Sequence, residues 1–562
     1  MIKFSNIFGK SILLTVILIS FFGNKAVPQQ QTHSEEVTII GLYKPSISKA
    51  YKININPKIS GEDIKMPILT YGINPKKMNT KIQLEPIKPA KISGDRQSKL
   101  YRNLVKAGFG NYITPYFEFF ANSLRSKDLS FGVHLKHISS NGDIKNYDNS
   151  AFSNNEASVY GKKFFRNHTF SANIFYKRNV VHFYGYKPED FSDTTFSKDD
   201  IKQRFQIAGT NLKIQSNYLN SKKLNHLFEL DYYYLADFYE TNEQNIYFKT
   251  KLDKNFKLFN LTENQNLGLI ADINYYNNTD SLNTNNSTVV RFLPFISTDF
   301  NQYKFYLGLD ASIELDSTTK FHFYPIAKAE VVVIPKNLIA YAGVKGELNK
   351  NSFKILSDKN PFIISIIPLE YSNNKFEVFG GLNGNLFETL DFNVCLSNSL
   401  IDNMPFFVND TSNILNNTFN VVFDDISLLK VKAEISYQKR EKIKLNFSAA
   451  FNKYTMDKEL KPWHKPDFEI SFGANYNISN KFIIKAEIFA YSKIFARTFN
   501  NNTEISEEIK GWIDLNLGFE YRINKIFSVF VNFNNIGNLQ YQKWHNYPVQ
   551  QFNFIAGITY SF

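Results

Sequence analysis

Cysteine is almost absent from this chain of 562 residues, which contains a single one, Cys395. One cysteine cannot form an intramolecular disulfide, and it provides no thiolate framework for a metal or a redox centre. Cys395 lies in a segment of alternating apolar and polar residues, so we interpret it as a small apolar strand residue. A disulfide-stapled fold and a cofactor held by cysteines are therefore excluded, and we expect no cofactor.

Long apolar runs are also missing. The run at residues 12–22 follows Lys3 and Lys10 and is shorter than the roughly 18–20 apolar residues that a membrane-spanning helix needs. Basic residues at the start, a short apolar run and small residues directly after it predict a cleaved secretory signal at residues 1–26. The alternative is a membrane anchor. Hydrophobic residues make up only 43% of the chain and the mean hydropathy is −0.30, which argues against a helical membrane protein.

Aromatic residues are abundant instead, with 54 Phe and 32 Tyr. The last residues of the chain alternate strictly, as a strand with a period of two requires. One face carries Phe552, Phe554, Ala556, Ile558, Tyr560 and Phe562, and the other carries Asn553, Ile555, Gly557, Thr559 and Ser561. Because lipid offers the backbone no hydrogen-bond partner, a final strand of this kind is typical of a sheet that closes into an outer-membrane barrel.

Similar alternation recurs from about Val105 to the end of the chain. An apolar row at residues 305–315 faces a row that includes Lys304, Asp310 and Glu314. The sequence therefore predicts an all-β fold: a transmembrane antiparallel β-barrel of about 22 strands with a wet lumen, at residues 103–562. Alternation alone does not separate such a barrel from a soluble β-sandwich, but the signal sequence and the aromatic terminal residue favour the barrel.

Connection lengths support an outer-membrane location. Short turns at residues 522–525, 478–481 and 438–442 alternate with longer polar loops, as periplasmic turns and extracellular loops do in bacterial barrels. The longer loops are expected at residues 534–550, 499–510 and 455–466. This register places Tyr521, Tyr560 and Phe562 in a periplasmic aromatic girdle.

Residues 27–102 have a different character. The stretch contains seven of the 18 prolines, and proline removes a backbone donor and fixes φ, so regular structure cannot extend far. We predict an extended periplasmic or lumenal segment, with a short β-prone patch at residues 37–40.

The net charge is +13, and it becomes +10 when Lys3, Lys10 and Lys25 leave with the signal. The basic residues are spread over turns and strands rather than clustered in a motif, which argues against a nucleic-acid partner. Contact with outer-membrane lipid and lipopolysaccharide, or a lumen that prefers anions, accounts better for this charge.

No motif indicates catalysis or metal binding. His134 and His137 are three residues apart, so on a strand they face opposite sides and do not share a metal easily. No local signature of a Ser/His or Asp/His hydrolase is present, although the members of such a triad can be distant in sequence. We therefore expect no enzyme activity, no catalytic residue and no metal site.

The C-terminal region resembles a known family. Residues 534–541, then Tyr547-Pro548 and the strand that ends at Phe562, resemble the last hairpin of TonB-dependent outer-membrane receptors, and the strand count fits those receptors. Residues 35–41 resemble the segment that carries the TonB box in receptors of the Gram-negative Bacteroidetes. The resemblance implies that a periplasmic TonB-type partner binds Val37, Thr38, Ile39, Ile40 and Gly41.

The chain departs from that family in one respect. Those receptors carry a folded plug domain between the TonB box and the barrel, whereas only the proline-rich residues 42–100 are available here. Two functions stay open. The barrel binds or passes a solute across the outer membrane, or it serves as a structural or assembly subunit, a membrane platform for outer-membrane protein partners.

Overall fold

The computed structural model of the chain describes Gly72 and residues 100–562, except for 125, 143, 192–196, 198, 219–222, 258–263, 388 and 501–502. The predicted signal at residues 1–26 and the partner-binding residues 37–41 lie outside the described residues. The predicted segment 27–102 lies outside them too, apart from Gly72 and residues 100–102. These expectations stay predictions.

Strands dominate the described chain. In chain order they are β1 (Asn103–Gly110), β2 (Thr114–Asn122), β3 (Leu129–Ser140), β4 (Phe152–Phe164), β5 (His168–His182), β6 (Lys202–Ser216), β7 (Asn225–Ala236), β8 (Asn242–Phe256), β9 (Asn264–Thr279), β10 (Thr284–Phe300), β11 (Tyr303–Leu315), β12 (Thr319–Ile334), β13 (Leu338–Lys350), β14 (Tyr371–Leu386), β15 (Leu390–Asn409), β16 (Phe419–Lys439), β17 (Ile443–Met456), β18 (Phe468–Ile478), β19 (Phe482–Tyr491), β20 (Ile494–Asn500), β21 (Thr503–Ile509), β22 (Trp512–Arg522), β23 (Phe527–Asn534), β24 (Gln542–Trp544), β25 (Tyr547–Pro548) and β26 (Asn553–Ser561). A 3₁₀ turn spans Pro188–Phe191, and the α-helix α1 spans Phe353–Lys359.

The sheet closes on itself. All strands except the separate pairs β20–β21 and β24–β25 form one antiparallel sheet of 22 strands, in which β1 pairs with both β2 and β26. At this seam Leu104 lies opposite Ser561 and Gly110 lies opposite Ile555. The carbonyl of Phe562 accepts hydrogen bonds from the N–H groups of Arg102 and Asn103 at 3.1 and 2.9 Å. The predicted closed barrel and its strand number are confirmed, and among the described strands the main sheet has no free edge.

The two faces of the wall differ as the alternation predicts. On β11, Leu307 is 54% exposed on the outer face, whereas Asp310 is 2% exposed and points inward. Lumenal charges are paired across strands: Arg291 on β10 lies 2.6 Å from the carboxylate of Asp272 on β9 and 3.6 Å from that of Asp310 on β11. Polar side chains thus face the lumen and apolar ones face lipid, as a transmembrane barrel requires.

Connection lengths differ between the two ends of the barrel. At the end that holds the start of β1 and the end of β26, the turns include residues 301–302, 440–442, 479–481 and 523–526. At the other end the loops are longer and include residues 183–201, 351–370, 410–418, 457–467, 492–511 and 535–552. The predicted alternation of turns and loops is confirmed, and by the usual arrangement of bacterial barrels the long-loop end faces outward. Tyr521, Tyr560 and Phe562 lie exposed at the short-turn end.

Within the described part of the chain, no helix has the length and apolar character needed to cross a membrane. The helix α1 has seven residues and lies in the loop between β13 and β14. Its N-cap is Ser352, whose hydroxyl accepts the N–H of Ile355 at 3.3 Å and so satisfies one of the free donors of the first turn.

The seam depends on glycine at one position. A Cβ on Gly557 of β26 would lie 2.1 Å from the carbonyl oxygen of Ala107 and 2.6 Å from the Cα of Gly108, and neither backbone atom can move aside freely. We expect Gly557→Ala to destabilise the barrel by about 1–3 kcal/mol, because overpacking displaces the paired strand. The measurement is the temperature at which the folded form is lost from a heat-modifiable band in electrophoresis.

The matched control is Gly473→Ala on β18, where a Cβ would meet no atom within 4 Å. Equal melting of the two variants would contradict the tight fit at the seam.

Candidate functional site

Loops from opposite sides of the barrel meet over its long-loop end. We call the described residues of the four loops at 183–201, 351–370, 410–418 and 535–552 the cap. The first follows β5 and the third follows β15, and these strands lie ten positions apart in a ring of 22. Nevertheless the side-chain amide of Asn417 donates a hydrogen bond to the carbonyl of Phe183, and the hydroxyl of Tyr547 donates one to the carbonyl of Asn417. The cap therefore spans the mouth of the barrel.

Aromatic stacking holds the cap together. Tyr547 is 2% exposed, and its ring stacks on that of Phe362 with centroids 3.8 Å apart and planes 22° apart. The ring of Tyr184 meets Tyr547 edge-on at 4.8 Å, and the hydroxyl of Tyr184 donates to the carbonyl of Pro548 at 3.0 Å. Burial raises the pKa of Tyr184 and that of Tyr547, so both hydroxyls stay protonated donors.

Backbone pairing reinforces this stacking. The N–H of Ile364 donates to the carbonyl of Phe419 at 2.9 Å, and the N–H of Phe419 donates to the carbonyl of Phe362 at 3.0 Å. Phe419 and Ile363 are fully buried. The loop at residues 351–370 is thus tied to the start of β16 like a short added strand.

The same loop is anchored to the wall at β7 and β8. The carboxylate of Glu243 accepts the N–H groups of Phe353 and Lys354 at 2.6 and 3.2 Å, which places a negative charge at the N-terminus of α1. In the β7–β8 turn, Asp237 accepts the side-chain amide of Gln203 at 3.1 Å and the hydroxyl of Ser365. Burial raises the pKa of Asp237, and these hydrogen bonds oppose that effect.

A histidine joins the cap to the loop at residues 457–467. Nδ1 of His464 lies 2.9 Å from the carbonyl of Phe407, and Nε2 accepts the backbone N–H of His545 at 3.3 Å. These two partners require a neutral ring that carries its proton on Nδ1. Burial lowers the pKa of His464 to about 3, consistent with a neutral ring.

Two cavities adjoin the cap. The first, of about 80 Å³, is lined by aromatic and polar side chains. Its lining residues are Phe152, Asn154, Val181, Tyr184, Pro361, Phe362, Asp514, Asn534, Asn535, Tyr541, Lys543, Trp544, Tyr547, Val549, Gln550 and Asn553. Among the described residues, the indole N–H of Trp544 is buried without a hydrogen-bond partner. The second cavity, of about 370 Å³, is lined by Glu314, Asp316, Lys320, His322, Leu348, Leu369, Glu370, Tyr371, Asn373, Asp402 and Asn403. Both offer polar groups to a small solute.

No group of three or more His, Cys, Asp or Glu in the described parts of the chain is arranged to hold a metal ion. His134 faces the lumen and lies 3.1 Å from the carboxylate of Glu118, whereas Nδ1 of His137, on the opposite face, lies 2.7 Å from the side-chain oxygen of Asn155. The two histidines are therefore separated as the sequence predicts.

The sequence located part of this site. The resemblance singled out residues 534–541 and Tyr547, and the structure places Tyr541 in the first cavity and Tyr547 at the centre of the cap. Phe362, Phe419 and His464 were missed, and loss of strand periodicity near the first two was the available signal. The predicted partner-binding residues 37–41 lie outside the described residues.

The barrel is similar to solved outer-membrane receptors. The pyoverdine outer-membrane receptor of Pseudomonas aeruginosa matches with a TM-score of 0.62 and 10% identity, over 83% of this chain and 79% of that one. The siderophore receptor PirA of Acinetobacter baumannii matches with a TM-score of 0.61 and 10% identity, over 82% and 80%. The FrpB iron transporter of Neisseria meningitidis matches with a TM-score of 0.60 and 11% identity, over 83% and 82%.

No protein-family model and no curated protein sequence matches the chain. At these identities the likeness shows the fold alone, which is the barrel fold of TonB-dependent outer-membrane receptors. The predicted resemblance is confirmed at that level, whereas assignment to the Bacteroidetes stays a prediction.

Proposed function

We propose that this chain is a receptor-like barrel of the outer membrane that binds a solute and passes it inward. The observation that carries the proposal is the cap, whose loops start on opposite sides of the ring and lock together over the lumen. A ring of 22 strands encloses a wide lumen, which is a large hole unless something closes it. A cap of packed loops closes the mouth and is suited to open for a specific solute.

The similar structures support a receptor role. They are named as receptors for siderophores and as an iron transporter, and none is named as an enzyme. The alternative, a platform for partner proteins, is not favoured by these likenesses. Because siderophore receptors recur among them, a ferric siderophore is the first class of solute to test.

The N-terminal part of the chain completes the proposal. Residues 1–26 act as the secretory signal, and residues 27–102 act as a small lumenal plug or as a periplasmic docking segment. A TonB-type partner binds Val37, Thr38, Ile39, Ile40 and Gly41 by adding a strand to this short β-prone patch. In this proposal the chain comes from a Gram-negative bacterium of the Bacteroidetes. Its barrel contacts outer-membrane lipid and lipopolysaccharide.

The test is uptake of radioactive iron by cells that lack their own siderophore receptors and express this chain. Ferric pyoverdine and ferric enterobactin are the first probes. Uptake that needs the barrel and is lost when residues 37–41 are deleted would support a coupled receptor. Absence of uptake across a broad siderophore panel, with a folded barrel in the outer membrane, would reject this solute class. Migration as a stable multiprotein complex in native electrophoresis would instead favour the platform.

A further inference from the structure

The loop at residues 457–467 turns into the barrel at the long-loop end. Its Trp463 is fully buried in an apolar cluster that packs against lumenal side chains of β17. The side-chain amide of Asn452, on the same face of β17, donates a hydrogen bond to the carbonyl of Pro466 at 3.4 Å. Lys465, which directly precedes Pro466, therefore lies against the lumenal side of the wall.

Lys430 lies on the wall beside this loop. On β16 it is directly opposite Asn452, and such pairs on antiparallel strands have Cα atoms about 4.5–5.5 Å apart and point to the same side. The neighbouring Leu429 and Val431 are 36% and 37% exposed on the outer face, so Lys430 faces the lumen. Its amine and that of Lys465 thus reach the same part of the lumen.

A third lysine reaches this place from the cap. Lys359 is the last residue of α1, and it is exposed to solvent although burial lowers its pKa. That combination is expected of a side chain in a solvent space that protein encloses on most sides. Burial and the charge of Lys359 together lower the pKa of Lys465 to about 8, so the two amines lie near each other. We call Lys359, Lys430 and Lys465 the lysine cluster.

The lysine cluster carries more positive charge than its surroundings neutralise. Within the described part of the chain, none of its three amines forms a hydrogen bond or an ion pair. The carboxylate that acts on Lys465 is that of Glu469, which accepts a hydrogen bond from the amide of Asn452 at 3.3 Å. Three ammonium groups beside one carboxylate leave two positive charges without a counter-charge. By contrast, Lys432, two residues further along β16, pairs with Glu434 at 2.5 Å.

Such a cluster is unfavourable on its own. Like charges repel one another, and removal of an ammonium group from bulk water adds a further cost. The dipole of α1 favours a positive charge at Lys359, but that effect falls off within the last turn of a helix and accounts for this lysine alone. A bound anion stabilises all three charges at once.

We propose that the lysine cluster binds an oxyanion group of the transported solute, a phosphate or a carboxylate, on the lumenal side of the cap. Lysine suits this role, because its ammonium group is a compact charge with three rotatable donors and is a common ligand of phosphate. The site holds the solute after it has passed the cap and before it leaves the lumen. This inference rests on the proposed function and adds that the solute is an anion.

The test maps the reactivity of individual lysines in the full-length protein in detergent. Acetic anhydride acetylates unprotonated amines, and mass spectrometry measures the extent at each lysine with inorganic pyrophosphate, with citrate and with neither. A bound anion raises the pKa of the amine, and one pKa unit lowers the unprotonated fraction about tenfold. We expect acetylation of the lysine cluster to slow at least about 3-fold. Lys328 and Lys345, which face the lumen and have carboxylate partners, should react at an unchanged rate.

A double variant gives a second measurement. Lys430→Gln/Lys465→Gln should bind the protecting anion at least about 10-fold more weakly in a calorimetric titration, because charge-assisted hydrogen bonds are the strong ones. The matched control, Lys328→Gln/Lys345→Gln, removes the same charge from the lumen and should bind like the unmodified protein. Heat-modifiable electrophoresis establishes that each variant is folded before the titration.

Access to the lysine cluster is controlled by repeating the mapping on Tyr547→Ala, which removes the ring at the centre of the cap. Protection by pyrophosphate alone identifies a phosphate as the group that is recognised, and protection by citrate alone identifies a carboxylate. Protection in neither protein, equal protection of Lys328 and Lys345, or equal weakening in both double variants would overturn the proposal. Cluster lysines that stay unreactive in both proteins would overturn it too, since they would not lie in a solvent space.

The site and the proposed function fail in different ways. Solute uptake without anion protection of the lysine cluster rejects the site alone. Anion protection in a folded barrel that takes up no solute rejects the proposed function and leaves the anion site in place.

Discussion

Replacing Tyr547 with alanine is expected to release the cap while the barrel stays folded. The substitution removes the stacked contact with Phe362, the edge contact with Tyr184 and the hydrogen bond to Asn417. Truncation of a fully buried aromatic side chain costs about 3–5 kcal/mol. This loss of stability affects the packing of the loops and not the barrel wall, because the strands of the wall keep all of their backbone pairs.

Hydrogen exchange of the loops at residues 351–370 and 410–418 measures this release, and we expect their protection to collapse in Tyr547→Ala. The control is Tyr476→Ala, which truncates a tyrosine that is 44% exposed on the outer face of β18. A second variant, Gly185→Ala, places a Cβ 2.4 Å from the ring of Tyr547 and should loosen the cap by about 1–3 kcal/mol. Unchanged protection in both cap variants would contradict the role of Tyr547.

Acidification is expected to weaken the cap through His464. The pKa of its ring is about 3 in the closed cap and 6.5 in a solvated loop. Below pH 6.5 the open state takes up a proton that the closed state does not, so the closed cap loses about 1.4 kcal/mol per pH unit down to pH 3. Between pH 7 and pH 5 the loss is therefore about 2 kcal/mol.

Other charged groups surround this histidine. Burial also lowers the pKa of His545, whereas Glu507 opposes that shift; the adjacent Lys465 has its pKa lowered to about 8, so it stays mostly protonated below pH 7. His464→Asn isolates the effect of His464, because an amide offers a donor and an acceptor and does not titrate. In this variant, the free energy of opening of the loop at residues 457–467, measured by hydrogen exchange, should fall between pH 7 and pH 5 by about 2 kcal/mol less than in the parent. The same pH dependence in variant and parent would refute this assignment.

The barrel could be predicted from sequence because its wall obeys a simple rule. Side chains alternate between lipid and lumen, so a row such as residues 305–315 identifies a strand and its two faces. The number of strands follows from counting such rows along the chain. Turn lengths then give the orientation. Each of these signals comes from residues close together in sequence. Each can be recognised without knowing which strands pair across the seam.

The cap could not be predicted in the same way. Its contacts join Phe183 to Asn417 and Tyr547 to Phe362, residues far apart in sequence whose meeting depends on the closed ring. The sequence is least periodic near residues 356–372 and 402–418, but this does not indicate that the loop at residues 351–370 pairs with the start of β16 at Phe419. Burial of aromatic side chains in irregular loops has no period to detect.

Planar-bilayer conductance tests the central claim, that the cap closes the barrel mouth. The comparison uses two versions that both lack residues 27–100, one with an intact cap and one that also carries Tyr547→Ala. We predict that the version with the intact cap gives no large steady conductance and that Tyr547→Ala opens large channels. Large steady channels in the version with the intact cap would show that the cap is not a seal, and the account would be wrong.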